Sequence, residues 1–292
     1  MVCLPLIEVG GDDQKKNMGE YFTIKSSNKR AGIKPMQFTR KAINNRHKSI
    51  IAQVSKNGFA TVEEMAKQYK VTPQTIRRDI NFLDKEGYLS RYHGGAAPAS
   101  STENVAYRHR KELLLAEKRK IAQKVASIIP DKSSLFINIG TTTEHVANAL
   151  CDHSRLKIIT NNLNVAAIMS KKEDFQVIVA GGIVRARDGG ITGESAVQFI
   201  RQFKMDIGII GISGIDLDGT LLDFDFREVH VARTIIENSR KVFLVTDHSK
   251  FGRNAMVKLG SIREIDTLIT DKQPPAELME EIQKHDVKLL IA

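Results

Sequence analysis

Four side chains suited to base edges of nucleic acid recur at helical spacing: Gln74, Arg77, Arg78 and Asn81. At 100° per residue they share a narrow arc, with Ile76, Ile80 and Leu83 roughly opposite. A helix here would bury the apolar stripe and present two arginines flanked by two amides. Arginine can bond guanine bidentately, and glutamine or asparagine can do the same for adenine. A merely solvated helix face has a similar composition, so context must separate the two. The context is charge. The 292 residues carry 44 Lys and Arg against 34 Asp and Glu, a net +10, and eleven of the basic residues against five of the acidic ones fall between Met36 and Pro98. The longer stretch after Pro98 is close to balance. A basic excess confined to one short segment points to a polyanionic partner for that segment.

A second set of residues suits a smaller ligand. Gly140-Thr141-Thr142-Thr143 follows an apolar run and opens a helical pattern. Backbone N–H groups and hydroxyls would then converge near the positive end of a helix dipole, which suits a phosphate. Thr160-Asn161-Asn162 stands in the same way after the next apolar run, and Gly181-Gly182 after the one beyond permits close backbone approach. GISGID (residues 211–216) and Asp247-His248-Ser249-Lys250 follow later runs. Each alone reads equally well as a cap or tight turn. Together, all after strands, they would lie on one sheet edge and form a shared anion or polyol site. The 8 histidines form no HxH, HxxxH or Cys/His cluster, so no metal site is expected.

The elements that must position these residues can be read from periodicity and punctuation. Ile50, Ile51 and Val54 mark a first helix closed by Asn57-Gly58. Thr61-x-x-Glu64 is a capping box opening a second helix that buries Val62, Met65 and Ala66. Thr72-Pro73 opens the third, which ends at Gly87. The two capped helices joined by Tyr69-Lys70-Val71 have helix-turn-helix spacing. Residues 88–92 read as a strand that turns back at Gly94-Gly95, placing Arg91 and His93 on a hairpin able to meet phosphates or the minor groove. Thr72 and Thr75, at the start of the third helix, complete this candidate set. A polar stretch after Pro98 has linker composition, and one basic helix is expected over residues 104–129.

Beyond it, strands are expected at 135–139, 157–160, 176–180, 207–212, 241–246, 267–270 and 287–291, with helices near 143–150, 163–170, 195–203, 226–239 and 275–284. Uniformly apolar strands alternating with helices indicate an α/β domain with a mainly parallel sheet covered on both faces. No run approaches the ~18–20 apolar residues of a membrane span. The start lacks a basic region and a cleavage site of a secretory signal. Two cysteines, Cys3 and Cys151, make no disulfide framework, which fits a reducing, cytoplasmic setting. Residues 1–43 show no sustained period and read as a disordered or non-native extension, with Met36 as an alternative start.

The stretch TVEEMAKQYKVTPQTIRRDINFLDKEGYLSRYHGGA resembles the DeoR-type winged helix-turn-helix, over residues 44–98. IGTTTEHVANAL, TNNLNVA, AGGIVRARDGGITGE, GISGIDLDGTLLDFDF, IIENSR and DHSKFGRNAMV are similar to the sensor domain of the same family, which looks like phosphosugar isomerases in fold. The resemblance implies a DNA-binding domain at 44–98, a linker at 99–115 and an effector-sensing, oligomerising α/β domain at 116–292. It implies a transcriptional repressor, not an enzyme, with the third helix in the major groove. Within the family these motifs match members responding to sn-glycerol 3-phosphate. That implies glycerol-metabolism genes as targets, release from operator DNA by this effector, a homo-oligomer, a tetramer, and no cofactor.

Carried over position by position, the phosphate falls to Gly140, Thr141, Thr142 and Thr143, with Asn161, Asn162, Gly181 and Gly182 nearby. Lys250 would neutralise its charge beside Asp247, Asp216 and Glu228 would bond hydroxyls, and Arg185 would be a further phosphate partner. Two alternatives remain at this stage. One is the same repressor sensing another sugar phosphate. The other is a phosphosugar isomerase shuttling a proton through Asp216 or Glu228, for which Arg77 and Arg78 would have no use.

Overall fold

The computed structural model describes residues 44–57, 59–86, 88–92, 94–98 and 107–292. The expected extension over 1–43, the closing Gly58 and Gly87, the hairpin His93 and the polar stretch 99–106 lie outside them.

The first region comprises α1 (Asn45–Asn57), β1 (Ala60–Thr61), α2 (Val62–Tyr69), α3 (Pro73–Lys85), β2 (Leu89–Tyr92) and β3 (Gly95–Pro98). Its helix boundaries follow the punctuation. The Thr61 hydroxyl accepts from the Glu64 N–H at 3.1 Å while the Glu64 carboxylate accepts from the Thr61 N–H at 2.9 Å, closing the capping box. Thr72 caps α3 by accepting from the Thr75 N–H at 3.2 Å, with Pro73 in the first turn. β3 lies between β1 and β2, antiparallel to both. A side chain at Gly95 would collide with the Ala60 carbonyl and the Phe59 ring, so this close approach requires glycine. Ile50, Val54, Met65, Ile76, Ile80, Leu83 and Leu89 form the core of the region. One carboxylate interrupts that stripe. Asp79 is buried and accepts from Arg46 Nε at 2.5 Å and Nη2 at 3.1 Å, with His47 Nε2 at 3.1 Å, which ties α3 to α1.

The single basic helix expected over 104–129 is instead two, α4 (Tyr107–Glu112) and α5 (Leu115–Ala126), broken at Leu114 in the left-handed conformation with φ 53°. That conformation costs a non-glycine residue about 1–2 kcal/mol. Packing and hydrogen bonding offset it. Leu113 packs against the Phe59 and Ala97 cluster of the first region, as Tyr92 does, and Leu114 is itself buried. The buried ammonium of Lys118 donates to the carbonyls of Arg110 and, at 2.6 Å, of Leu113, which the end of α4 would otherwise leave unpaired.

The second region runs β4 (Ser134–Ile137), α6 (Thr141–Ala149), β5 (Lys157–Thr160), α7 (Leu163–Met169), β6 (Gln176–Val179), β7 (Ile183–Val184), β8 (Ile191–Thr192), α8 (Glu194–Ile200), β9 (Met205–Ile210), β10 (Gly214–Ile215), β11 (Thr220–Asp223), α9 (Phe226–Glu237), β12 (Ser239–Val245), β13 (Val257–Ser261), β14 (Thr267–Thr270), α10 (Ala276–Lys284) and β15 (Lys288–Ile291). The seven expected strands form one sheet in the order β15-β14-β12-β9-β4-β5-β6, every pair parallel. Its two faces are both covered. Leu135 and Ile137 pack with Ile121, Val125, Val146 and Val165 of α5, α6 and α7, while Phe136 between them packs with Val197, Val229 and Leu278 of α8, α9 and α10. Two small antiparallel units, β7-β8 and β10-β11-β13, were not expected; several of their strands are two residues long, too short for a period to register. The chain leaves β4 outward through β5 and β6, then returns to the other side of β4 and runs outward through β9, β12, β14 and β15. The order therefore reverses between β4 and β9, the place where open α/β sheets bind ligands.

Candidate functional site

Two sets of functional side chains are built differently. On α3, Gln74, Arg77, Arg78 and Asn81 are exposed while Ile76, Ile80 and Leu83 are buried. Arg77 lies 3.8 Å from Glu63 with both side chains well exposed, a pairing of little energetic weight. The Thr72 hydroxyl is engaged in the cap and lies 3.0 Å from that of Thr75. Arg91 is exposed on β2, and its backbone N–H donates to Asp84 at 2.7 Å, fixing the hairpin against α3.

The other set lines a cleft at the reversal point. Asn138 to Thr142 after β4, Gly211 to Ser213 after β9, and Asp247, Ser249 and Lys250 after β12 supply the sheet side, with Asp223 and Glu228 beside them. The facing wall belongs to the connector and the hairpin: Arg110, Leu113, Leu114 and Lys118, with Tyr92. The Arg253 guanidinium sits 5.1 Å from the centre of the Tyr92 ring and 4.9 Å from that of Phe224, and donates to the Ser213 carbonyl at 3.0 Å. One end of the cleft is thereby joined to the hairpin through a cation–π contact.

The charges are unequal to one another. Burial pushes the Lys250 ammonium down to about 7 despite the pull of Asp247. It pushes Lys118 down to about 8, and lowers Arg110 against the pull of Glu228 and Asp188. Burial and the charge of Glu228 push Asp223 up to about 6. Burial also raises Asp247, but Lys250 and Ser249 outweigh it and hold that carboxyl below its usual range. A phosphate would repay the desolvation of the Lys118 and Lys250 ammonium groups, whose hydrogen bonds go to neutral carbonyls and a hydroxyl. The Asn138 side-chain oxygen is buried without a hydrogen-bond partner, an acceptor for a ligand hydroxyl.

Of the residues expected around an effector, Gly140, Thr141, Thr142, Glu228, Asp247 and Lys250 line this cleft. The others are engaged elsewhere. The Thr143 hydroxyl turns back onto the carbonyls of Asn138 (2.7 Å) and Gly140 (2.8 Å). Asn161 donates to the Ile191 carbonyl at 3.1 Å, and Asn162 caps α7 while donating to Glu144 at 3.3 Å. Gly181 and Gly182 follow β6, two strands beyond β4, and at ~4.8 Å per strand they fall away from the centre. Arg185 is held by Asp188 at 2.7 Å, Asp225 at 3.3 Å and Glu228. Asp216 sits in the turn before β11, its N–H donating to the Thr220 carbonyl at 2.9 Å. The residues sequence reasoning missed are Tyr92, Arg110, Lys118, Asn138 and Asp223, while Ser213 lines the cleft within the GISGID stretch it had singled out.

Residues 46–102 match the DeoR-like helix-turn-helix domain and residues 114–272 the DeoR C terminal sensor domain. The glycerol-3-phosphate regulon repressor of Escherichia coli (strain K12) is 54% identical over 244 residues, 84% of this chain and 97% of that protein. The protein of the same name from Haemophilus influenzae is 48% identical over 246 residues, 84% of this chain and 96% of that protein. Among solved structures, ribose 5 phosphate isomerase A from Neisseria gonorrhoeae covers 46% of this chain and 52% of its own at 14% identity and a TM-score of 0.34. No helix among the described residues is long and apolar enough to cross a membrane. A helix-turn-helix joined to an α/β sensor defines a DNA-binding transcriptional repressor that answers to a small molecule, not an enzyme. The chain belongs to the DeoR family.

Proposed function

We propose that this chain represses genes of glycerol and glycerol 3-phosphate metabolism and leaves its operator when sn-glycerol 3-phosphate fills the cleft. The observation that carries this reading is the meeting of the buried Lys118 and half-buried Lys250 ammonium groups with the helix N-terminus at Gly140-Thr141-Thr142 and the unpartnered oxygen of Asn138. That combination matches a small phosphate bearing hydroxyls. Gly140, Thr141, Thr142 and Lys250 take the phosphate, and Asn138, Asp247 and Glu228 take the hydroxyls. Thr143, Asn162 and Arg185 act behind them by holding loops in place. Gln74, Arg77, Arg78 and Asn81 read the major groove, with Thr72, Thr75, Arg91 and His93 on the backbone or minor groove.

The repressor works in the cytoplasm without a cofactor, as a homo-oligomer, a tetramer, on repeated half-sites. Exposed Ile183, Val184 and Phe226 give the sensor apolar surface for self-association, and light scattering at micromolar concentration tests it. Another sugar phosphate is the second reading, since the same cations and helix N-terminus would take any phosphate monoester. A gel shift on a glycerol-gene promoter decides between them. Glycerol 3-phosphate should release the protein where glucose 6-phosphate and fructose 6-phosphate do not, and release by a hexose phosphate alone overturns the effector assignment.

A further inference from the structure

We propose that the connector itself reads the charge of the effector: Arg110 and Lys118 are ligands of the bound phosphate, and the phosphate draws Lys118 away from the carbonyls of the turn between α4 and α5. This rests on the reading of the cleft as a phosphate site.

Lys118 is 3% exposed and lines the cleft together with Thr141, Thr142 and Lys250. Its ammonium is committed to two neutral partners, the carbonyls of Arg110 and Leu113. Asp247 is the largest opposing charge acting on it. An ammonium carries three donors, and a dianionic phosphate is a much stronger acceptor than a peptide carbonyl. Arg110, on the other side of the helix break, lines the same cleft, and its guanidinium lies 3.8 Å from Asp188. Two cations eight residues apart thus converge on one cavity because the chain breaks at Leu114.

The same segment is moored to the sensor further along α4. The Tyr107 hydroxyl donates to the Glu144 carboxylate at 2.7 Å and accepts from Asn164 at 3.0 Å. The first region joins the sensor through this connector. An effector that recruits Arg110 and Lys118 therefore changes how the connector is held, not only the sheet-end loops. Coupling requires two states with different affinities. Here they differ in the partner of Lys118: the turn carbonyls in one state, the phosphate in the other.

The test uses full-length protein and two readouts, calorimetric titration with glycerol 3-phosphate and operator affinity with and without it. Lys118→Met and Arg110→Gln should each weaken effector binding about tenfold or more, the effect of losing one hydrogen bond to a charged group. Lys118→Met, saturated with effector, should also keep its operator where wild type lets go. Arg119→Gln removes an exposed charge of the same helix and should behave as wild type. Lys118→Arg should restore much of the affinity. Should Lys118→Met fail to fold, Arg110→Gln and Lys118→Arg carry the test.

Effector affinity of the Arg110 and Lys118 variants within about twofold of wild type, or wild-type release by saturated Lys118→Met, overturns the inference and leaves the effector assignment standing. If wild type ignores glycerol 3-phosphate but answers another sugar phosphate, the assignment falls and the same variants decide the inference against that ligand. Binding of none of them overturns both.

Discussion

The recognition face of α3 and the cleft at the sheet reversal are opposite solutions to the same problem of presenting charge. On α3 every functional side chain comes from one element, projects into solvent, and depends on its neighbours only for the direction of the helix. In the cleft the groups come from the ends of four strands, β4, β9, β11 and β12, from α9, the connector and the hairpin, and the cations are buried or half-buried. The first can be altered one residue at a time. The second is a balance, and a change at one member shifts the rest.

The largest expected effect breaks the first side of this comparison. Arg77→Ala combined with Arg78→Ala should abolish selective operator binding, since each base contact contributes roughly 1–3 kcal/mol, while calorimetry with glycerol 3-phosphate shows an unchanged effector affinity. Altered effector affinity would mean that the two regions are not separable. Lys250→Ala should do the reverse, retaining operator binding and weakening the effector by ~1.5–3 kcal/mol, and normal induction in a reporter strain would contradict it.

Tyr92→Ala tests the one residue that belongs to both regions. Loss of its contact with Arg253 should shift effector affinity by about 0.5–2 kcal/mol although the residue lies on the DNA-binding hairpin. The last effect is spread over several units of pH. Lys250 sits at about 7 in the folded protein against an ordinary 10.5, so between those values the unfolded chain holds a proton that the folded one lacks. The unliganded sensor should therefore gain thermal stability as pH rises through that window, and lose effector affinity over the same range as the ammonium disappears. Parallel movement of the two curves would refute the sign.

The difference also explains how much could be read from the sequence. The capping box at Thr61 and Glu64, the Thr72-Pro73 start and the Ile76, Ile80 and Leu83 stripe are local, and they predict the DNA-binding region closely. All seven strands of the parallel sheet are legible for the same reason, as apolar runs with their own boundaries. The helix break at Leu114 is not, because the packing that offsets it is of Leu113 on Phe59 and Ala97, distant in sequence. Nor is the cleft wall, since the loops after β5 and β6 share the local chemistry of those after β4 and differ only in where the sheet places them. One signal was present. Lys118 occupies a position in the stripe Leu114, Ile121 and Val125 where an apolar residue belongs, as Asp79 does on α3, and in both places the intruding charge marks a buried network.

The core around Ile50, Met65, Ile76 and Leu83 shares no residue with those that flank the sheet. Synthesis gives that separation a direction in time. The chain emerges from its N-terminus at ~5–20 residues per second, so the groove-reading helix completes its own core roughly ten seconds or more before β15, the last strand, can pair with β14. A transcript cut short within the sensor thus yields a groove-reading region with its core complete but without the cleft or the apolar surface for self-association, and such products should hold the operator weakly and give no answer to the effector.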